Sequence, residues 1–228
     1  MLTVMKGMVI KMRIKKEDMQ LYVVTDRSWL GENKLAAQVE EILKAGATLL
    51  QLREKDMTYE AFVEEAKEIK QLTDQYQIPF IINDRVDVAR AVAAAGIHIG
   101  QDDGDIIATR ELVGENMIIG VSVHTVEEAI EAQSKGADYI GVGAVFSTST
   151  KKDANHVSHE ILRKICAAVT IPVVAIGGIT KDNILELTGT GVDGAAVISA
   201  IFACKDVGKA TEELAKLAKR MVRREAII

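Results

Sequence analysis

Eight short runs rich in Val and Ile, each followed by a longer segment with apolar residues at helical spacing, limit most strongly what this chain can fold into. The runs are "QLYVVTD" (20–26), "TLLQLREK" (48–55), "PFIIND" (79–84), "GIHIGQ" (96–101), "MIIGVSVH" (117–124), "ADYIGVGAV" (137–145), "PVVAIGGI" (172–179) and "GAAVISAI" (194–201). Between them lie "LAAQVEEILKAG", "YEAFVEEAKEIKQLTDQY", "RVDVARAVAAAG", "TVEEAIEAQSKG", "HEILRKICAAV" and "KDNILELTGTG", and "DVGKATEELAKLAKRMVRR" finishes the chain. Several of these helical segments close on a Gly suited to a left-handed cap. Parallel strands need crossover helices, and a closed sheet leaves no edge exposed. The expectation is therefore an α/β chain folded as a single-domain (β/α)8 TIM barrel over 20–228, with 1–19 as a leader or extra turn. An open doubly wound sheet is the alternative. Its dinucleotide-binding form calls for G-x-G-x-x-G after the first strand, where this chain has "VTDRSWLGEN".

A chain of 228 residues with 48% hydrophobic content can bury one large core without staples. The net charge of -5 excludes nucleic-acid binding through a general basic field, so any anion site must be local. Cys166 and Cys204 lack the close spacing of a metal knuckle or redox pair and read as reduced and structural, which points to the cytoplasm. In "MLTVMKGMVIKMRIKK" the longest apolar run is three residues, too short for a signal core or a membrane span. Met5, Met8 and Met12 could each be an alternative start.

In such a barrel the C-terminal ends of the strands form the active face. Alternation in "TLLQLREK" puts Leu50 and Leu52 on one side, toward the helices, and Gln51, Arg53 and Lys55 on the other. Charges facing the barrel need a partner. They read as an anion site, or else as an internal salt-bridge cluster with Glu54 or acids of the next strand. Asn83 and Asp84 in "INDR" and Asp102 and Asp103 in "GQDDGD" end the next two strands. Carboxylates on strands about 5 Å apart can share a Mg²⁺ ion, which takes few protein ligands. The plainer reading is that Asp84, and Asp103 or Asp105, cap the following helices. Strands 7 and 8 end in "AIGGITKDN" and "VISAIF", where Gly178 and the Ser199 hydroxyl suit a phosphate monoester, or Gly-Gly simply makes a tight turn. His98 and His124 read as packing or hydrogen-bonded residues. Ser122, on the same side of its strand as His124, reaches the barrel mouth. Trp29 follows strand 1 as part of a lid or as cover for the barrel edge.

"QLREK", "INDR", "HIGQDD", "GVSVH", "ADYIGVGAVFSTSTK", "VAIGGIT" and "VISAI" occur in this order, and together they resemble the thiamine-phosphate synthase (thiamine-phosphate pyrophosphorylase) family from about residue 20 to 205. The resemblance implies a (β/α)8 transferase of thiamine biosynthesis. It would join 4-amino-2-methyl-5-(diphosphooxymethyl)pyrimidine to 4-methyl-5-(2-phosphoethyl)thiazole, or its 2-carboxy form, releasing pyrophosphate with Mg²⁺ as cofactor. It further implies that Gln51 and Ser122 touch the pyrimidine and that Arg53, Lys55, Asn83 and Lys151 hold its diphosphate. Arg53, Lys55 and Lys151 would be the catalytic cations, and Asp84 and Asp103 the metal ligands. Thr148, Thr150, Gly178, Ile198 and Ser199 would hold the thiazole phosphate. Ser147 departs from the family, which often has Pro there. The implied chemistry breaks the C–O bond first, so it needs no nucleophile–base pair. The partners are then two small phosphorylated heterocycles, without nucleic acid or membrane, and homo-oligomerisation stays open. Competing readings are a thiazole tautomerase on the same barrel, which has no need of a metal-bound diphosphate, and a silent sensor of a phosphorylated metabolite.

Overall fold

The computed structural model describes residues 14–31, 33–101, 104–147 and 157–223. All eight expected strands form: β1 (Leu21–Val24), β2 (Leu49–Leu52), β3 (Phe80–Asn83), β4 (Gly96–Ile99), β5 (Ile118–Val123), β6 (Tyr139–Val142), β7 (Val173–Ile176) and β8 (Gly194–Val197). They pair in parallel, in sequence order, and β8 returns to β1 to close the barrel. Helices alternate with them: α1 (Leu35–Lys44), α2 (Tyr59–Gln75), α3 (Val86–Ala91), α4 (Ile106–Val113), α5 (Val126–Ser134), α6 (His159–Ala168), α7 (Ser199–Phe202) and α8 (Val207–Val222). Side-chain caps start several of them. Thr125 accepts from Glu128 N, Asp206 from Lys209 N, and Asp105 from both Ile107 N and Ala108 N. Among the described residues no helix is long and apolar enough to cross a membrane.

Two expected elements differ. Residues 181–191 make a single 3-10 turn (Ile184–Leu187) in place of an α-helix. Gly189 and Gly191 at positive φ end it, and the Asn183 side chain is occupied with Thr180 N and the Gly178 carbonyl. The run 194–201 leaves the sheet after Val197, and α7 begins at Ser199. The other strands are likewise shorter than their apolar runs, and polar residues follow β1 to β5, from Thr25 and Arg53 to Asp84, Gln101 and His124.

Period-two alternation divides the core in two. Leu50, Leu52, Ile82, Ile97 and Val121 face outward against apolar residues of the helices, from Val39 of α1 to Leu214 of α8. The inner core is smaller and includes Tyr22, Val24, Leu49, Ile81, Ile118, Tyr139, Val174 and Ala196. Ile14 and Met19, assigned above to the leader, are buried in it and close the N-terminal end. Tyr22 and Tyr139 approach edge to face with ring centroids 6.0 Å apart. The space for Tyr139 comes from Gly120 on the paired strand, where a Cβ would overlap the phenol ring. Gly120→Ala should therefore cost about 2 kcal/mol or more of unfolding free energy, as overpacking of a filled core does. Urea denaturation of the variant against wild type reads this directly.

Candidate active site

The C-terminal ends of the strands surround a cavity of about 430 Å³. Gln51, Arg53, Lys55, Asn83, Asp84, Ser122, Gly178, Ile198 and Ser199 all line it. Nine expected site residues, scattered over about 150 positions of sequence, thus meet in one place. Asp103, Thr148, Thr150 and Lys151 lie outside the described residues. A larger cleft of about 910 Å³ opens at the opposite, N-terminal end. Its lysine, Lys70, is already paired with Asp74, so among the described residues no unpaired cation lines it.

Strand β2 sets the cationic rim. Thr25, fully buried, donates its backbone N–H to the Gln51 carbonyl, and its hydroxyl accepts from Arg53 N at 3.0 Å. This continues the strand geometry past Leu52 and keeps Arg53 on the same side as Gln51. Among the described residues neither Arg53 nor Lys55 has an ion-pair partner. The expected alternative, a cluster in which Glu54 neutralises them, is not what forms. Glu54 points the other way, 2.9 Å from Arg27 Nε, and Arg27 also bonds Glu65. Two carboxylates share one guanidinium there, and Glu54 Oε1 and Glu65 Oε2 are buried without a hydrogen bond. Burial, with the neighbouring Glu65 charge and against the pull of Arg27, raises the Glu54 carboxyl to about 7.

Asp84 ends β3 in the left-handed region, φ 59°, a costly conformation for a non-glycine residue, and its N–H donates to the His98 carbonyl at 2.9 Å. The N-cap position of α3 is Arg85, so the capping reading of Asp84 does not hold. For α4 the cap is Asp105. Gly178 sits at φ 66° with its Cβ position against the Phe146 and Ser147 backbone. The tight-turn reading of the glycine pair is thus correct, and the same turn brings Gly178 to the cavity wall. Trp29 closes a 3-10 turn (Arg27–Trp29) after β1 and is 37% exposed.

The cavity floor is polar. Gln51 Nε2 donates to Tyr22 Oη at 2.6 Å, Tyr22 Oη lies 2.8 Å from Tyr139 Oη, and Tyr139 Oη lies 2.9 Å from His98 Nδ1. His98 Nε2 is 3.0 Å from Ser122 Oγ. Burial holds both phenols well above their usual range, so they stay neutral. His98 is a hydrogen-bonded residue, as its sequence context led us to expect. So is His124, whose backbone N–H donates to Glu128 Oε2 at 2.6 Å and whose ring Nδ1 lies 3.4 Å from the same oxygen. Tyr22 and Tyr139 are functional-site residues that no sequence motif marked. The available signal was their inward phase on β1 and β6, with small residues across from them.

This geometry, cations at the C-terminal mouth of a parallel barrel over a polar floor, defines a barrel whose mouth is built to take an anionic small molecule. The family model described as thiamine monophosphate synthase matches residues 21–201, and the chain belongs to that family. It is 53% identical over 203 residues to the thiamine-phosphate synthase of Clostridium tetani, covering 89% of this chain and 97% of that one. To the enzyme of the same name from Pyrococcus abyssi it is 47% identical, covering 91% and 98%. The solved thiamine phosphate pyrophosphorylase of Pyrococcus furiosus superposes with a TM-score of 0.85 at 47% identity, over 91% of this chain and 99% of that one.

The Glu54 carboxyl has a checkable consequence. Its folded-state pKa of about 7 exceeds the ordinary 4.5, so the folded state holds a proton that the unfolded chain has released. Through this group, stability is full below pH about 4.5 and is lost as pH rises toward about 7. In Glu54→Gln, denaturation midpoints measured across that window should fall less steeply with pH than those of wild type.

Proposed function

We propose that the cavity at the C-terminal mouth is where this chain, a transferase of the thiamine-phosphate synthase type, brings its two substrates together, on a fold we read as a (β/α)8 TIM barrel. The reaction joins a pyrimidine and a thiazole phosphate to give thiamine phosphate. We take the substrates to be 4-amino-2-methyl-5-(diphosphooxymethyl)pyrimidine and 4-methyl-5-(2-phosphoethyl)thiazole or its 2-carboxy form. The observation that carries this reading is Arg53 and Lys55 at the rim, which have no ion-pair partner among the described residues. Two such cations beside one cavity suit an anion that can take charge-assisted hydrogen bonds from both.

In this account Gln51 and Ser122 hold the pyrimidine on the floor, and Arg53, Lys55, Asn83 and Lys151 grip its diphosphate. Gly178, Ile198 and Ser199, on the other wall, hold the thiazole phosphate, and Thr148 and Thr150 are assigned to the same substrate. The C–O bond to the diphosphate breaks with its electron pair leaving on pyrophosphate, and the electron-rich aminopyrimidine ring stabilises the methyl cation. The thiazole nitrogen then donates its pair to that carbon; from the 2-carboxy form the carboxylate also leaves as CO2, its C–C electron pair staying on C2, which takes up a proton. The rim cations stabilise the charge that develops on the leaving group, and the two walls align the reactants.

Asp84 is the acid among the described residues lining the cavity. One or two carboxylates with phosphate oxygens and water suit Mg²⁺, so the donors fit it. Asp84 and Asp103 would hold the ion, and when bound it would neutralise diphosphate charge. Burial pushes the Cys166 thiol up to about 12, which fits an inert structural thiol, whereas Cys204 is exposed. We place the enzyme in the cytoplasm on the spacing of its cysteines alone.

Pyrophosphate release, measured with each substrate alone and with both, with and without Mg²⁺, should require all three components. Turnover of the thiazole alone would favour the tautomerase. Lys151→Ala should slow the single-turnover rate about a hundredfold, with thiazole binding little changed. An unchanged rate would remove Lys151 from the diphosphate grip.

A further inference from the structure

The floor of the cavity is a continuous hydrogen-bond wire from Gln51 through Tyr22, Tyr139 and His98 to Ser122. Its direction follows from one amide. Gln51 Nε2 donates to Tyr22 Oη, so the Tyr22 proton goes to Tyr139 Oη and the Tyr139 proton to His98 Nδ1. His98 then carries its proton on Nε2 and donates to Ser122 Oγ, which leaves the Ser122 hydroxyl proton for the cavity. At the other end, Gln51 Oε1 remains to the cavity as an acceptor. Both phenols are fully enclosed, so neither can turn its proton to water.

We propose that this wire sets opposite hydrogen-bonding polarity at its two ends, an acceptor at Gln51 and a donor at Ser122, and thereby selects the edge of an aminopyrimidine. That edge offers an exocyclic N–H beside a ring nitrogen lone pair, which is the complementary pattern. A 4-oxo pyrimidine offers the reverse, a carbonyl beside a ring N–H. Tyr22, Tyr139 and His98 are then positioning residues that act through Gln51 and Ser122. The inference rests on the placement of the pyrimidine between those two residues. Reversing one end requires the other to reverse with it, through an amide flip and a change of histidine tautomer. Mismatching a buried donor is a penalty that a site built for hydrogen bonding applies to the wrong analogue.

The test reads the tautomer of His98 by ¹⁵N NMR in the full-length protein, with the signal assigned through His98→Gln. Wild type should show a neutral ring with its proton on Nε2. Gln51→Glu supplies a carboxylate that only accepts, so the whole wire should reverse and the His98 proton should move to Nδ1. Placing Gln51→Glu on Tyr139→Phe, which cuts the wire, should leave the tautomer as it is in Tyr139→Phe alone. Tyr139→Phe should also raise the KM for the pyrimidine diphosphate about tenfold, with the KM for the thiazole phosphate unchanged. A wild-type proton on Nδ1, or a tautomer indifferent to Gln51→Glu, overturns the wire. A tautomer that switches while both variants keep the wild-type pyrimidine KM overturns the selection, and shows that the placement of the pyrimidine is what failed. If Gln51→Glu does not fold, the wild-type tautomer and the Tyr139→Phe split in KM still decide.

Discussion

The hydroxyl-to-hydroxyl contact of Tyr22 and Tyr139, 2.8 Å across the barrel interior, is the interaction on which the site is built. A closed barrel of eight short strands must fill its interior with side chains, and phenols fill much of that volume at once. Their hydroxyls, sealed from water, need partners. Each phenol meets the other, and the remaining bonding capacity runs outward to Gln51 on one flank and His98 and Ser122 on the other. Gly120 on the strand beside β6 makes this arrangement sterically attainable. Above that plane the barrel interior is open, and the 430 Å³ cavity begins.

Charge is layered on this frame. The phenols of the floor stay neutral because burial resists their ionisation, and the rim carries Arg53 and Lys55, which have no ion-pair partner among the described residues. The acid between them in sequence, Glu54, would cancel that charge if it faced inward. Alternation sends it outward, where Arg27 holds it against Glu65. Donors fixed before the substrate arrives need little rearrangement as charge develops on a leaving group, which is the effect that preorganised electrostatics supplies. On the far wall, the turn at Gly178 and the start of α7 at Ser199 complete the enclosure.

The strands and the face on which the site lies were legible in the sequence because both depend on local rules. Period-two alternation placed Leu50 and Leu52 outward and Gln51, Arg53 and Lys55 inward, and the structure agrees. The tyrosine network was not legible, because Tyr22 and Tyr139 stand 117 positions apart and each looks like an ordinary apolar strand residue. The route of 181–191 was missed for a different reason. Its apolar spacing suits a helix, but the Asn183 side chain and two left-handed glycines commit the backbone to a short turn. Asp84 was ambiguous between cap and ligand until its own backbone, left-handed and one residue before the cap position, removed the capping role.

The central claim is that the rim cations beside this polar floor are a diphosphate site. A crystal structure of the complex with pyrophosphate and Mg²⁺ tests it most directly. The account predicts pyrophosphate oxygens bonded to Arg53 and Lys55, with the ion on the Asp84 side of the cavity. Pyrophosphate bound instead at Gly178 and Ser199, with Arg53 and Lys55 turned to solvent, would contradict it.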